Sequence, residues 1–548
     1  MKRSLNSVFC DLCTLRALLV ILFINLPGWA VGNTKHATGE TPALPSLMSR
    51  LEAAENTNDI TAISALFSED ATIHVPDNMP FVGRETIISL FEFIWQQPDR
   101  KPTRYIIEGT RRTGAQVLEY GTSITSDQQG MDQATAFRAV IVESDRVSGD
   151  LAYGRASERH TSFVIRELVF GEPDKSALSL PAPTGEFAVG RVVRYQTGED
   201  QPRGRPLSIE LWYPASSTTA DREVQHTRAV ASASAVFLGM PPFMFSYSAL
   251  VNSNAVRNTS PLNGKVFPVV LYNHGYGGFT SVYQTIFEEL ASHGYIVVSI
   301  GHVNESSLLI VDENTIMPSQ PGNEVYASRA SELQGQEINE LQAIILGSDS
   351  PVELVGAYRK LVQLSPLHNE STRVWASDTH DVIAMLEKLH GSDSLLRGIF
   401  DLGNIGVMGH SVGGATAGQM AFGTPGIKAG VNIDGFQFGD LVYQRLSIPF
   451  MFVVSKQRGD SHLRALNFMA DSKADAYQVV LQGFSHDSFS DLDFFRKAEG
   501  DRVGGPVSIN LQRNLLRTFF DRYLKNMEGK LRVLADDHDE ISITSYLR

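Results

Sequence analysis

The sequence predicts an α/β protein in two parts. A large domain is built on a mostly parallel, eight-stranded sheet with helices on both faces, and a small α+β domain precedes it. At 548 residues the chain exceeds the usual length of one compact domain. Its later part alternates short apolar runs with helical segments, as parallel strands covered on both faces do. The earlier part instead has helices ahead of strands that turn signals separate.

Composition and charge narrow the class of function. Hydrophobic residues make up 43% and charged residues 20% of the chain, as in an ordinary globular protein with a sizeable core. The formal net charge is −14, and no basic patch interrupts it. Phosphate backbones would be repelled, so we expect no nucleic-acid partner.

The first 30 residues resemble a secretory signal. A positively charged start precedes the apolar run Ala17–Ile24, and small residues allow cleavage near Ala30. The run is too short to span a bilayer comfortably, although retention as an N-terminal anchor is the alternative. Both cysteines, Cys10 and Cys13, would leave with the signal. We therefore expect a secreted or periplasmic protein with no disulfide, thiol nucleophile or cysteine metal site.

A small α+β domain is predicted over residues 45–170, after a linker at 31–44. Helical spacing covers Leu47–Phe67 and Arg84–Gln97. Strand-like runs are Ala71–Val75, Arg104–Thr110, Gln116–Thr125, Ala134–Glu143 and Leu151–Arg159.

The stretch FSEDATIHVPDNMPFVGRETI and the strands behind it resemble the SnoaL-like domains of the ketosteroid-isomerase type. The resemblance implies a cone around a pocket, in which some relatives use polar groups for proton transfer. His74 and Asp77 could face such a pocket. We favour the alternative of a packed histidine and a turn residue, and hence a binding or dimerisation role for this domain.

The large domain is predicted over residues 186–548, after a linker at 171–185. Its strand-like runs are Phe187–Tyr195, Leu207–Tyr213, Phe267–Asn273, Tyr295–Ile300, Ile405–Met408, Ala429–Ile433, Phe450–Val454 and Ala476–Leu481. Insertions fall near 221–260 and 302–377. Val236–Leu250, rich in Phe, Met and Pro, is either a flap or lipid-contacting surface or an ordinarily buried segment. The second insertion, with a predicted helix at Ser328–Leu346 and another after it at Asp378–Leu389, suits a helical cap or additional scaffold.

A candidate nucleophile lies between the fifth of these strands and a run of small residues. Gly409, His410, Ser411, Val412 and Gly413 fit the G-x-S-x-G pattern of a nucleophile elbow. A serine hydroxyl is a weak nucleophile, so a sharp turn must hold it where a base can take its proton. Eight strands with the fifth leading into this elbow indicate an α/β-hydrolase sheet.

In that fold the triad follows the chain order serine, acid, histidine, on loops at the carboxyl ends of later strands. His486 directly follows the eighth strand, whereas His462 and His538 do not emerge from a strand end. Asp434 closes the sixth strand, and Asp460 lies in a polar loop after the seventh. We favour Asp434, because the acid has to be a buried carboxylate with few competing partners.

An oxyanion hole requires two backbone N–H groups. Val412, after the nucleophile, supplies one. The loop after the third strand reads Asn273, His274, Gly275, Tyr276, Gly277, Gly278, and its glycines leave the backbone open. We predict the Tyr276 amide as the second donor and a structural role for His274.

The segments NHGYGG, GHSVGG, VNIDGFQFGD and GFSHDSFSD, in this order and spacing, resemble the platelet-activating factor acetylhydrolases of the secreted, lipoprotein-associated phospholipase A2 type. The resemblance covers roughly Ser179–Tyr523. It implies that the acid follows the strand after the nucleophile, which supports Asp434. It also implies hydrolysis of a phospholipid with a short or oxidised sn-2 acyl chain, without calcium. Transient contact to a lipid surface is expected if the apolar stretch Val236–Leu250 is the lipid-contacting surface.

Two other hypotheses stay open on the sequence alone. One is a general carboxylesterase or polyester hydrolase, because the elbow does not identify the acyl chain. The other is a non-catalytic binding module that uses the SnoaL-like pocket. The sequence carries no metal motif, so we expect no metal or other cofactor.

Overall fold

The structure is a computed structural model, which describes residues 46–75, 80–97, 100, 102–113, 116–126, 132–144, 162–170, 179–198, 203–216, 224–249, 251–320, 323–348, 350–456, 472–495, 502–528 and 531–548. The chain divides into two compact units. The N-terminal unit comprises Met1–Lys175 with Pro241–Tyr247, and the C-terminal unit comprises Ser176–Met240 with Ser248–Arg548.

The N-terminal unit begins with two short helices. Helix α1 spans Leu47–Thr57 and helix α2 spans Ile60–Leu66. Between them Asn58 has a φ of 56°, and Asp59 caps the second helix with its side chain. Asparagine tolerates the left-handed region and aspartate is a favoured N-cap, so the single helix predicted over Leu47–Phe67 is wrong.

A six-stranded sheet completes this unit. Its elements are β1 (Phe67–His74), β2 (Phe81–Val82), α3 (Arg84–Trp95), β3 (Thr103–Thr113), β4 (Gln116–Ser126), β5 (Asp132–Ser144) and β6 (Ser162–Phe170). The strand order is β2-β1-β6-β5-β4-β3, in which β1 and β6 run parallel and the other pairs antiparallel. The helices and one face of the sheet share an apolar core that includes Leu51, Ile63 and Phe137.

The last strand predicted for this unit, Leu151–Arg159, lies outside the described residues. Strand β6, which follows it in the chain, was not predicted. The middle of the predicted flap, Pro241–Tyr247, clusters with this unit, where Val82 N donates to Ser246 Oγ at 3.3 Å.

The C-terminal unit is built on a ten-stranded sheet. The strands of the unit are β7 (Ala188–Gln196), β8 (Leu207–Ala215), β9 (Val256–Arg257), β10 (Phe267–Asn273), β11 (Ile296–Gly301), β12 (Leu308–Ile310), β13 (Ile316–Pro318), β14 (Phe400–His410), β15 (Ile427–Ile433), β16 (Phe450–Ser455), β17 (Ala476–Leu481) and β18 (Ile541–Tyr546). The order is β18-β17-β16-β15-β14-β10-β11-β8-β7-β9, while β12 and β13 form a separate hairpin. All eight predicted strands are present, and β9 and β18 extend the sheet to ten.

The six central strands, from β11 to β17 in the sheet order, run parallel. Their apolar runs face two different cores, because successive side chains of a strand point to opposite faces. In β10, Val270 and Tyr272 lie in one core and Val269 and Leu271 in the other. This two-sided burial explains why the runs are continuous in the sequence.

Helices cover both faces. They are α4 (Arg228–Phe237), α5 (Gln284–Ser292), α6 (Glu324–Glu332), α7 (Gln336–Gly347), α8 (Pro351–Gln363), α9 (Pro366–Ser392), α10 (Val412–Gly423), α11 (Gly505–Leu524) and α12 (Leu531–Asp537). Helices α5 and α11 belong to one core, and the C-terminal half of α9 belongs to the other.

The second insertion is helical, but its boundaries differ from the prediction. The helix predicted over Ser328–Leu346 is two helices, α6 and α7, which break before Gly335 with its φ of 118°. Helix α9 begins at Pro366, twelve residues before the predicted Asp378. Helices α6, α7 and α8 precede a 27-residue helix, α9, which continues into the scaffold.

Candidate active site

Ser411 lies on a sharp turn between β14 and α10. Its φ is 56° and its ψ is −120°, a strained conformation that costs about 1–3 kcal/mol for a residue with a side chain. A Cβ at Gly409 would lie 2.1 Å from the carbonyl oxygen of Gly413, and a Cβ at Gly413 would lie 2.0 Å from that of Asn273. Only glycine fits at both positions, and this allows the turn to bring Ser411 to the sheet edge.

His486 reaches Ser411 from the loop after β17. It begins a short 3₁₀ turn, His486–Ser488, which Ser485 caps. His486 Nε2 lies 3.1 Å from Ser411 Oγ, and the side chain is 26% exposed. This is hydrogen-bonding distance, so the imidazole stands where a base for the serine proton has to stand.

Asp434 holds the other side of the imidazole. It follows β15, has a φ of 52° and is fully buried, and its Oδ2 lies 2.6 Å from His486 Nδ1. Ser455, the last residue of β16, donates to Asp434 Oδ1 from its backbone N at 2.7 Å. The Ser455 hydroxyl lies 3.0 and 3.1 Å from the two carboxylate oxygens. The carboxylate is thus fixed by the neighbouring strand.

Ser455 and His410 are two contacts that sequence reasoning missed. Ser455 ends the apolar run of β16, and a polar residue at the carboxyl end of a strand beside Asp434 was an available signal. His410 Nε2 lies 3.1 Å from the main-chain oxygen of His486, and the two rings are 4.5 Å apart. His410 was named only as part of the elbow pattern, and nothing in that pattern indicates this contact.

The backbone around Ser411 offers N–H groups for an oxyanion. Within the described residues, neither the Val412 N–H nor the Tyr276 N–H donates to a protein acceptor. A Cβ at Gly275 would lie 3.1 Å from Ser411 Cβ, so the loop that carries Tyr276 passes directly beside the nucleophile. Free amides in this position suit a developing negative charge on a carbonyl oxygen.

The same loop is held in place by one of its own residues, the buried His274. His274 Nδ1 donates to the Gly275 oxygen at 2.6 Å, and Nε2 lies 2.8 Å from Ser306 Oγ. Burial lowers the pKa of His274 to about 3, with a smaller contribution from His302. His274 is therefore a neutral structural residue, consistent with the role predicted for it.

Five further candidates were named from the sequence. Asp77, Asp460 and His462 lie outside the described residues. His538 directly follows α12, and its main-chain oxygen accepts from the N–H of Ile541, the first residue of edge strand β18, at 3.1 Å. His74 ends β1 of the N-terminal unit, where its Nε2 lies 3.6 Å from Glu167 Oε1.

Burial lowers the pKa of His74, against the attraction of Glu167. This partner on β6 agrees with a packed histidine.

The first insertion reaches the loop that carries Tyr276. Phe237, at the end of α4, packs edge-to-face on Tyr326 with the ring centroids 4.9 Å apart. Its ring would lie 3.0 Å from a Cβ at Gly277. The apolar start of the predicted flap thus packs on this loop.

The described residues contain neither a candidate metal site nor a candidate membrane-spanning helix. Among them, no three His, Cys, Asp or Glu side chains are grouped so that they could hold a metal ion. No helix in the same ranges combines the length and apolar character needed to cross a bilayer.

The sequence of the C-terminal unit is similar to that of a known protein family. The sequence model of the family described as "Platelet-activating factor acetylhydrolase, isoform II" matches residues 174–499, more than half of the chain. The match begins at residue 174, at the end of the first segment of the N-terminal unit, so the SnoaL-like resemblance of that unit stays a prediction.

Individual relatives are distant. The platelet-activating factor acetylhydrolase of Cavia porcellus is 25% identical over 46% of this chain and 54% of its own length. That of Bos taurus is 23% identical over 49% of this chain and 60% of its own length. That of Gallus gallus is 24% identical over 59% of this chain and 76% of its own length. The chain thus spans little more than half the length of the first two relatives.

A solved ferulic acid esterase from Streptomyces cinnamoneus is similar in structure, with a TM-score of 0.51 and 19% sequence identity. The alignment covers 67% of this chain and all of that structure. At this identity the likeness establishes the fold alone. Together with the family match, it identifies the C-terminal unit as an α/β-hydrolase fold, as predicted.

Proposed function

The chain belongs to the platelet-activating factor acetylhydrolase isoform II family, and from that premise we propose that it is a carboxylic ester hydrolase using Ser411, His486 and Asp434. The observation that carries the proposal is the continuous chain of contacts from Asp434 through His486 to Ser411, at 2.6 and 3.1 Å. A buried carboxylate, an orienting bond to Nδ1 and a reachable hydroxyl are the three parts of a serine-hydrolase triad.

The acylation step uses these residues in fixed roles. Ser411 Oγ attacks the ester carbonyl while His486 Nε2 takes its proton. The carbonyl oxygen becomes an oxyanion, which the Val412 and Tyr276 N–H groups stabilise. His486 then gives the proton to the leaving alkoxide, the ester bond breaks, and an acyl-Ser411 remains.

Deacylation repeats the sequence with water. His486 takes a proton from the water as its oxygen attacks the acyl carbonyl, and the same two N–H groups receive the oxyanion. The proton returns to Ser411 Oγ when the acid leaves. Asp434 stays ionised throughout and stabilises the imidazolium that forms twice in the cycle.

Fluorophosphonate labelling tests the assignment. We expect one label on Ser411 in the wild-type protein, located by peptide mass, and no label in Ser411→Ala or His486→Ala. The Ser411→Ala substitution should lower kcat by about 10⁵- to 10⁶-fold, leaving the residual rate that binding and the oxyanion hole supply. His538→Ala is the matched histidine control and should label normally. A wild-type protein that is folded but takes no label would favour a non-catalytic binding module.

The substrate proposed is a phospholipid with a short or oxidised sn-2 acyl group, on the strength of the family match. A panel of acetyl and long-acyl phospholipids, p-nitrophenyl butyrate and a soluble polyester separates this from a general carboxylesterase or polyester hydrolase. We expect the short-acyl phospholipid to have the highest kcat/KM, and we expect EDTA to leave the rate unchanged. Preference for the p-nitrophenyl ester over every phospholipid would favour the broader esterase.

Residues 1–30 are proposed as a cleaved secretory signal, and the N-terminal unit as a SnoaL-like binding or dimerisation domain. The charged start followed by the short apolar run Ala17–Ile24 supports the first proposal. Mass determination of the secreted protein should give a start close to Val31. Retention of the first 30 residues on a membrane-bound protein would indicate an anchor instead.

A further inference from the structure

The loop that carries Tyr276 is held in place by a short neighbouring segment. Gly277 N donates to the main-chain oxygen of Glu305 at 3.0 Å, and Ser307 N donates to the Gly278 oxygen at 2.9 Å. The position of residues 305–307 therefore sets the position of the Tyr276 N–H beside Ser411.

Glu305 itself is a buried carboxylate, only 4% exposed, and it is tied to two helices. Its Oε2 accepts from Trp375 Nε1 at 2.6 Å, and its Oε1 accepts a short hydrogen bond from the Ser371 hydroxyl. Both donors belong to α9. Arg329 Nε, on α6, lies 3.0 Å from Glu305 Oε1 and donates to Ser371 Oγ at 2.9 Å. We refer to Glu305, Arg329, Ser371 and Trp375 as the Glu305 cluster.

The Glu305 cluster compensates a carboxylate that is buried in the protein. An ionised carboxylate out of contact with water is costly unless a counter-charge and hydrogen bonds compensate it. Trp375 and Ser371 supply neutral donors, and Arg329 supplies the positive charge, with its side chain 12% exposed. Removal of that charge would leave the buried carboxylate without its counter-charge, so the Glu305 side chain would move towards water and its backbone would move with it.

The ring of Tyr276 meets the same two helices. Its centroid lies 5.7 Å from that of Trp375 and 5.5 Å from that of His368, both on α9, and 6.3 Å from that of Tyr326 on α6. Tyr326 lies one helical turn before Arg329. Helices α6 and α9 thus contact Tyr276 directly, through its ring, and indirectly, through Glu305.

We propose that Arg329 and Glu305 are positioning residues for the oxyanion hole, which hold the Tyr276 N–H at the distance that the tetrahedral oxyanion requires. The inference rests on the proposed ester-hydrolase function and adds residues that no triad or elbow pattern contains. Helix α6 of the second insertion then supports the chemistry indirectly, because its arginine compensates the buried Glu305 carboxylate, and the main chain of Glu305 binds the oxyanion loop.

The test compares transition-state binding with ground-state binding. An aryl trifluoromethyl ketone is the probe, because Ser411 Oγ adds to its carbonyl, the proton passes to His486, and the resulting oxyanion occupies the hole. For Arg329→Met we expect the inhibition constant of the ketone to rise, and kcat to fall, by about 10- to 100-fold, less than the loss of a whole donor. KM should stay within about twofold.

Two further variants test the proposal independently of Arg329→Met alone. Glu305→Gln should raise the inhibition constant in the same direction, because the amide weakens the bonds to Arg329 and Trp375. The double variant Arg329→Met with Glu305→Gln removes the uncompensated charge, so it should recover part of the kcat that Arg329→Met loses. These variants decide the matter even where Arg329→Met fails to fold. Arg373→Gln is the matched control, because Arg373 lies on α9 but pairs with the exposed Asp440.

Separate outcomes identify which idea fails. A wild-type protein that binds neither the ketone nor a fluorophosphonate overturns the proposed function and this inference together. A wild-type protein that binds the ketone, with Glu305→Gln and the double variant binding it equally well and turning over at the wild-type kcat, overturns the inference alone. Equal losses in the Arg373→Gln control would also contradict it, since that residue does not contact the Glu305 cluster.

Discussion

Two histidine–aspartate pairs in the α/β-hydrolase unit differ in what the second ring nitrogen meets. In one, His486 Nδ1 lies 2.6 Å from Asp434 and Nε2 lies 3.1 Å from Ser411 Oγ, with the side chain 26% exposed. In the other, His302 Nδ1 lies 3.1 Å from Asp378, and the ring is sealed from water. Both histidines follow a parallel strand of the same sheet.

The sealed pair is surrounded by structure on every side. His302 Nε2 lies 3.0 Å from Asn273 Oδ1, and the ring stacks on Trp375 with centroids 4.0 Å apart. Asp378 also binds Arg203 and Arg205. Burial alone would raise the pKa of Asp378, but His302 and Arg205 outweigh it and lower the pKa.

A buried aspartate that orients a histidine is therefore common to a structural pair and a proposed catalytic one. What separates them is a reachable nucleophile and access for substrate. We assign a catalytic role to the open pair, His486 and Asp434, and a stabilising role to the sealed pair, His302 and Asp378. Substitutions in the two pairs should therefore have different effects.

The largest expected effect is a loss of kcat when the open pair, His486 and Asp434, is disrupted. Asp434→Asn would present an amide N–H to His486 Nδ1 and so favour the tautomer that cannot take the serine proton. We expect kcat to fall by about 10⁴-fold, measured on a short-chain ester, with a circular dichroism spectrum like that of the wild type.

Two aspartates serve as controls for this substitution. Asp487→Asn alters an exposed carboxylate next to His486 and should leave kcat close to the wild-type value. Asp460→Asn tests the alternative acid named from the sequence. If Asp460→Asn abolished activity while Asp434→Asn retained it, the acid would have to be reassigned.

The next largest expected effect is a fall in the free energy of unfolding when the sealed pair, His302 and Asp378, is disrupted. Asp378→Asn leaves Arg203, Arg205 and His302 without their shared carboxylate. The free energy of unfolding should fall by about 3 kcal/mol, the lower end for a broken buried pair, because both arginines remain partly exposed. Urea unfolding measures this loss. The kcat of the folded fraction should stay within about tenfold of the wild type, unlike that of Asp434→Asn.

A neighbouring carboxylate on the same helix provides the comparison. Asp381 pairs with Arg203 at 2.8 Å but is more exposed than Asp378. Asp381→Asn should cost at most about 1 kcal/mol, as solvent-exposed pairs do. A large loss of kcat in Asp378→Asn without loss of stability would contradict the structural assignment.

The sequence predicts the parts of this site that depend on local pattern and chain order. The G-x-S-x-G spacing identifies Ser411, and the place of His486 after the last parallel strand identifies the histidine. Asp434 follows its strand at once, which indicates a buried carboxylate. Each of these inferences needs only one segment and the order of the strands.

The parts that the sequence does not predict depend on contacts between distant segments. The bond from Ser455 to Asp434 requires the register of β15 against β16. The Glu305 cluster joins residues from a loop and two helices, and α9 begins at Pro366 in a polar stretch that has no apolar periodicity. There Ser371 and Thr372 are fully buried, so tertiary hydrogen bonds replace the amphipathic pattern. Strand β18 is an edge strand whose short alternation, ISITSY, was an available signal.

The sealed histidines also predict a pH dependence of stability. Burial lowers the pKa of His274 to about 3, whereas the unfolded chain titrates near 6.5. Between these values the unfolded state binds the extra proton, so the stabilising contribution is complete above pH 6.5 and is lost as the pH falls towards 3. The slope is at most about 1.4 kcal/mol per pH unit for one such group.

His274→Gln should therefore reduce the dependence of unfolding free energy on pH between 6.5 and 5 by about 1 kcal/mol per unit, measured by urea titrations at each pH. Ser306→Ala removes the partner of His274 Nε2 but keeps the titrating ring, so it should lower stability at every pH and preserve most of the slope. If the His274→Gln slope equalled that of the wild type, the ring would have to take up its proton in the folded state, and the sealed site would be accessible to water. The division between sealed and open histidines would then no longer separate structure from catalysis.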